Sequence, residues 1–182
     1  MARKESITAQ KILNTAFQMT REEGLENVTA RKLAAKAGCS TQPIFRVYKN
    51  MNELRGAVFD SAVSFFQNFL HLQKKVSEVP FVNLGMSFIK FAVSEKELFL
   101  LLFINIGNID REMYEILNGP DGNVTAEISR AKSIGCRKPM EAFTKMWIFA
   151  HGVACMCLSG DYDLKGEETV LLLEEAFGAF SK

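Results

Sequence analysis

The chain has 182 residues and a formal net charge of +1, with 48% hydrophobic and 24% charged residues. Those proportions are ordinary for a folded soluble domain and exclude intrinsic disorder, because enough apolar surface exists to offset chain entropy. The near-neutral total hides an asymmetry: residues 1–60 hold ten basic and six acidic side chains, and residues 61–182 hold twelve and fifteen. A basic end on an acidic remainder points to one end meeting a polyanion.

The longest mostly apolar stretch, Met146 to Leu158, has thirteen residues and is interrupted by His151 and Gly152. A membrane span needs about 20, so none is expected. The N-terminus has no apolar signal-peptide core, and a cytoplasmic location is expected. Cys39, Cys136, Cys155 and Cys157 fit no zinc-ligand spacing and read as buried free thiols.

Helices are expected almost throughout. The first runs from Ser6 to Glu23 on an apolar stripe of Ile12, Leu13, Ala16 and Phe17, and Gly24 follows it as a stop. Thr29 is placed to cap a short helix from Ala30 to Lys36, which Gly38 ends. Ser40 is the next expected cap, for a helix from Thr41 to Val47 with Pro43 in its first turn and Ile44, Val47 and Tyr48 facing inward. Asn50 and Glu53 have capping-box spacing ahead of a long helix from Met51 to Lys75. Further helices are expected at Val82 to Ser94, Glu95 to Asn105, Asp110 to Leu117, Gly122 to Ser133, Lys138 to Leu158 and Glu167 to Phe180.

Two short helices around the turn AAKAGCST have helix-turn-helix spacing. In that motif the second helix enters the major groove with its first residues at base edges. Thr29 and Ser40 would set helix N-termini at phosphate height. Thr41 and Gln42 would reach bases, and Gln can pair bidentately with adenine. Arg31, Arg46 and Lys49 would neutralise phosphates. The same residues also suit the solvated face of a plain bundle.

The stretch Gly24 to Leu54 resembles the DNA-binding domain of tetracycline-repressor (TetR) family regulators. The resemblance rests on Gly24, Thr29, Arg31, Leu33, Ala34, Gly38, Ser40, Ile44, Phe45, Tyr48, Lys49, Glu53 and Leu54. It implies an all-α protein: a three-helix helix-turn-helix domain over residues 1–50 and a helical ligand-binding and dimerisation bundle over 51–182. Phe45 stands where the family usually has a phosphate-binding Tyr, Tyr48 replaces a usually buried Phe, and Gln42-Pro43 is unusual at the reading positions. Pro43 would offer apolar contact alone, for example to a thymine methyl.

Trp147, His151 and Gly152 are similar to a Trp-His-Gly motif of one C-terminal subclass. Trp147 and His151 share a helix face, as a packed aromatic pair or as a pocket wall. Phe66, Phe88, Phe91, Phe103, Met113 and Met146 would complete a cavity for a small, mainly apolar effector. The same stripes also read as plain core.

The resemblance further implies a homodimer through the last two helices, 138–158 and 167–180. It would bind double-stranded, palindromic operator DNA and be released by ligand, with the helix from Met51 as lever. No cofactor, metal or catalytic group is expected. Asp161 and Asp163 read as a polar loop, and His71 as a solvated side chain with no evident partner. The alternative is a helical protein-interaction module that has lost DNA binding.

Overall fold

The computed structural model describes residues 7–105 and 112–182. Among these the regular structure is helical: α1 (Ala9–Glu23), α2 (Ala30–Ala37), α3 (Gln42–Val47), α4 (Met51–His71), α5 (Val82–Ser94), α6 (Lys96–Phe99), α7 (Met113–Asn118), α8 (Asn123–Ser133), α9 (Pro139–Ser159) and α10 (Gly166–Phe180). A 3-10 turn covers Leu25–Asn27 and a π-helical turn Leu100–Ile104. The described residues form two compact units, one from segments 7–65 and 97–105, the other from 66–96 and 112–182.

In the first unit the ends of α1 and α2 have local causes. Thr8 caps α1 by accepting from the Lys11 N–H at 3.1 Å. Gly24 ends it at φ 86°. Thr29 caps α2 through the Lys32 N–H at 3.3 Å. At the other end Gly38 adopts φ 73°, ψ 34°. Its N–H reaches Ala35 O at 3.2 Å, and the Cys39 N–H reaches Ala34 O at 2.9 Å. This pair of bonds is a Schellman closure, which needs a left-handed residue where Gly carries no penalty. Ile12, Ala16, Met19, Leu33, Ile44, Leu54 and Val58 form the buried core that holds α1 to α4 together. Helix α3 has six residues, too short to persist alone, so burial of Ile44 at 0% exposure holds it.

In the second unit α5 packs mainly on α9, and α10 lies against both. Gly85 permits that approach: a Cβ there would stand 3.5 Å from Leu173 and 3.6 Å from Ala150. Phe81 opens α5 at φ 64°, a left-handed angle that costs a non-glycine residue energy. Its N–H donates to the Glu127 carboxylate at 2.5 Å, and its ring packs on Phe143 and Phe177 at 5.8 and 5.9 Å. Those contacts offset the strain.

Several expectations shift. The first helix begins at Ala9, and Ser6 lies outside the described residues. Ser40 does not cap α3. The residue before α3 is Thr41, already at helical angles and making no side-chain cap bond, and Pro43 has no N–H to give. Val47 is 39% exposed, so it does not face inward with Ile44.

The long helix stops at His71 because Asn83 captures the chain beyond it. Asn83 accepts from the Val76 and Ser77 N–H groups at 2.7 and 3.1 Å and donates to Ser77 O at 2.6 Å. Residues 95–105 do not form one α-helix. The Asn105 N–H bonds Leu100 O at 2.7 Å, five residues back, and the widened turn lets Leu101, Leu102 and Phe103 all be buried. The helix expected from Asp110 starts at Met113 among the described residues, and Asp110 lies outside them. Of the four thiols, Cys136 is buried, while Cys39, Cys155 and Cys157 are half-buried. His71 does have a partner, Asp121, at 2.8 Å.

By length and composition alone, α9 could cross a bilayer: it has 21 residues and a mean hydropathy of 1.2 over its most apolar window. Its packing on α5 and α10 gives those apolar residues a different partner.

Candidate nucleic-acid interface and effector groove

The turn between α2 and α3 sets the geometry of the reading surface. Thr29, Arg31, Ser40, Thr41, Gln42, Phe45, Arg46 and Lys49 are all exposed, and Pro43 is half-buried. Thr41 and Gln42 lead α3, while Ile44 anchors its opposite face in the core. Arg31, Arg46 and Lys49 pair with no carboxylate among the described residues, whereas Lys36 on the same helix as Arg31 is held by Glu22 at 2.5 Å. The hydrogen bond to Glu22 raises the Lys36 pKa above its ordinary value. The surface therefore keeps three uncommitted cations beside a helix whose first residues are free to contact a base edge. Lys32, also exposed, was missed in the sequence reading; the Arg31-Lys32 pair in the first turn of α2 was the available signal.

Phe45 is 48% exposed. It cannot replace a tyrosine hydroxyl at a phosphate, but its ring can lie against sugar or a thymine methyl. Tyr48 packs half-buried against the core, and its pKa is raised by burial and by the Glu53 carboxylate. Lys49 is oriented by its own backbone: Glu53 accepts its N–H at 2.6 Å, and Asn50 accepts the Glu53 N–H at 3.0 Å.

In the second unit Phe66, Phe88, Phe91, Trp147 and His151 come together. Ring centroids are 4.8 Å apart for Phe66 and Phe91, 4.3 Å for Phe88 and Trp147, and 5.8 Å for Trp147 and His151. Phe66, Phe88 and Phe91 have 0% exposure, and Met146 is also buried. Met113 is half-buried at the start of α7. Phe103 belongs to the first unit, where it packs on Phe99 at 5.4 Å. Burial pushes the His151 imidazole pKa down, favouring its neutral form.

An open apolar groove lies beside this cluster's helices. Phe69, Met86, Ile89, Lys90, Tyr162 and Leu164 line about 710 Å³ between the end of α4, α5 and the α9–α10 connection. Sequence reading missed it because three separate segments build it. Lys90 is a solitary exposed cation there, and the Cys157 thiol at its edge is held protonated by burial.

Residues 12–58 match the family model described as bacterial regulatory proteins, tetR family. The chain carries a tetR-family helix-turn-helix domain. Solved structures share the whole fold. A TetR-like transcriptional regulator from Rhodococcus sp. RHA1 aligns with TM-score 0.60 and 14% identity, over 93% of this chain and 92% of that one. The fatty acid degradation regulator FadR from Bacillus halodurans aligns with TM-score 0.62 and 14% identity, over 98% and 96%. A multidrug binding protein, EbrR, in complex with imidazole aligns with TM-score 0.54 and 14% identity, over 92% and 88%. No curated protein sequence matches the chain. Transcription regulation through DNA binding is the function a domain of this type serves, and the exposed lead of α3 with its unpaired cations lies within it.

Proposed function

We propose that the protein is a ligand-released repressor acting in the cytoplasm, binding a palindromic operator as a homodimer. The observation that carries this is the lead of α3: Thr41 and Gln42 are exposed on a tetR-type domain, flanked by unpaired Arg31, Arg46 and Lys49. Gln42 reads a base edge, Phe45 and Pro43 supply apolar contact, and the three cations neutralise phosphates. Residues 1–50 act as the DNA-binding domain and 51–182 as the effector and dimerisation domain.

Dimerisation uses α9 and α10. Ile148 and Leu171 are 65% and 60% exposed, and Met140 and Met156 are exposed too. Large apolar side chains in that position are best explained by a second copy covering them.

The effector is a small, mainly apolar molecule. The groove over Phe69, Met86 and Ile89 supports this reading, with Lys90 placed for an acidic end. Phe69 of the groove packs on Phe91 at 5.2 Å, which couples it to the cluster of Phe66, Phe88, Trp147 and His151, where a Trp-His-Gly-type motif would act. Two structural neighbours are described as a fatty acid degradation regulator and a multidrug binding protein, both fitting an amphipathic ligand. The effector acts by binding one conformer more tightly than the other, with α4 as the element that responds.

A gel shift on the DNA upstream of the protein's own gene tests the reading. Wild type shifts it with a steep salt dependence. Arg46→Ala weakens binding uniformly across sequences, and Gln42→Ala loses discrimination. A folded dimer that shifts no DNA in a genome-wide binding selection would instead mark a helical interaction module.

A further inference from the structure

A second cavity lies within the unit that carries the reading helix. Gly24, Leu25, Glu26, Arg55, Glu97, Leu100, Leu101 and Asn105 line about 470 Å³ there. Three features distinguish it from an ordinary surface dent. First, Arg55 Nε is buried and makes no hydrogen bond. A buried donor without an acceptor is costly and uncommon, and the guanidinium forms no ion pair among the described residues, so its charge is left for an anion in the cavity. Second, Glu26 and Glu97 share the cavity, yet neither pairs with the Arg55 guanidinium among the described residues. Here Glu26 is folded back over Gly24 instead, so that a Cβ on Gly24 would sit 2.4 Å from its carboxylate oxygen. Third, the π-helical turn at Leu100–Ile104 supplies the wall. Such turns are rare and often mark functional positions. This one presents Leu100, Leu101 and Asn105 to the same space.

A cavity with one cation, two separated carboxylates and a leucine wall matches a molecule carrying both charges and an apolar body. We propose that it binds a small zwitterion of the apolar amino-acid type. Arg55 takes the carboxylate, Glu26 and Glu97 take the ammonium group, and Leu25, Leu100 and Leu101 hold the side chain. The site is separate from the groove on the second unit and does not depend on the effector proposed for it.

Isothermal titration of the full-length protein tests this with L-valine, L-leucine, L-methionine and L-phenylalanine. 4-Methylvalerate, a carboxylate without the ammonium, and isoamylamine, the converse, serve as half-probes. At least one amino acid binds, and both half-probes bind at least tenfold more weakly than it does. Arg55→Gln lowers amino-acid affinity at least tenfold. Glu97→Gln lowers it while leaving any 4-methylvalerate binding unchanged, a split that general unfolding would not produce. Circular dichroism confirms that both variants are folded. Failure of all four amino acids to bind the folded wild type overturns the proposal. So does equal amino-acid affinity in wild type and Arg55→Gln. Operator binding by gel shift is measured on the same preparations, so loss of this site and loss of the regulator reading are separately visible.

Discussion

The Glu53 carboxylate accepts the backbone N–H of Lys49 at 2.6 Å, tying the exit of the reading helix to the first turn of α4. Asn50 closes the same corner by accepting the Glu53 N–H at 3.0 Å. Together they satisfy two donors at the start of a 21-residue helix and fix the direction in which Lys49 leaves α3. Glu53→Ala is expected to cost about 0.5–2 kcal/mol of stability, the usual range for a lost cap. Operator affinity falls as well, because Lys49 is no longer aimed. The slope of affinity against salt stays unchanged, since no cation is removed. Urea titration and gel shifts at several salt concentrations check this. A salt slope reduced by one unit would mean that Lys49 had left the interface altogether.

Gly38 is the hinge of the motif. Nothing lies within 4 Å of where its Cβ would stand, so an added methyl meets no clash. Its φ of 73° is nevertheless a left-handed angle. Gly38→Ala therefore isolates backbone strain, and about 1–2 kcal/mol of stability is expected to be lost. Gly38→Asn, which tolerates that region better, loses less. Thermal unfolding of the pair decides the matter: equal losses would mean that packing, not φ, sets the requirement.

His151 gives a pH dependence of definite sign. Burial lowers its folded-state pKa below the ordinary value of 6.5. The unfolded chain then binds the proton first as pH falls. The contribution is nil above the unfolded pKa, and stability declines as pH drops through about 6.5 toward the folded value. In urea titrations between pH 7.5 and 5.5, His151→Gln is expected to flatten that decline. An unchanged slope in the variant would assign it to other groups.

The dimer model rests on exposed apolar side chains of α9 and α10. Ile148→Glu combined with Leu171→Glu places two carboxylates where Ile148 and Leu171 are 65% and 60% exposed. Fold is kept, because neither side chain is in the core, while self-association is lost. Light scattering at micromolar concentration is expected to give monomers, and operator affinity falls by more than tenfold as the second half-site contact disappears. A persistent dimer would move the interface elsewhere.

The DNA-binding end was legible in sequence because its determinants are local. Thr29, Gly38 and the Asn50–Glu53 corner act within five residues of their partners, and the exposed lead of α3 follows once Ile44 is buried. Local signals misplaced two features there: Ser40 does not cap α3, because Thr41 already has helical angles, and Val47 is exposed rather than inward-facing. The boundaries of α5 and α10 also follow the sequence reading, although contacts from distant segments hold the start of α5. Val82–Ser94 is as expected, and the last helix differs by one residue at its start.

What tertiary structure decided are relationships between distant segments. Asn83 stops α4 by capturing the Val76 and Ser77 amides. Asp121 finds His71 across fifty positions of sequence. The π-helical turn appears where Leu101, Leu102 and Phe103 must all be buried at once. The cavity around Arg55 draws Gly24, Arg55 and Leu100 from three segments that no periodicity relates. Capping, turn and face rules act along one stretch of chain. A cavity, a buried Arg55 Nε without a partner and charges that do not pair depend on packing between stretches, and sequence spacing carries no record of that.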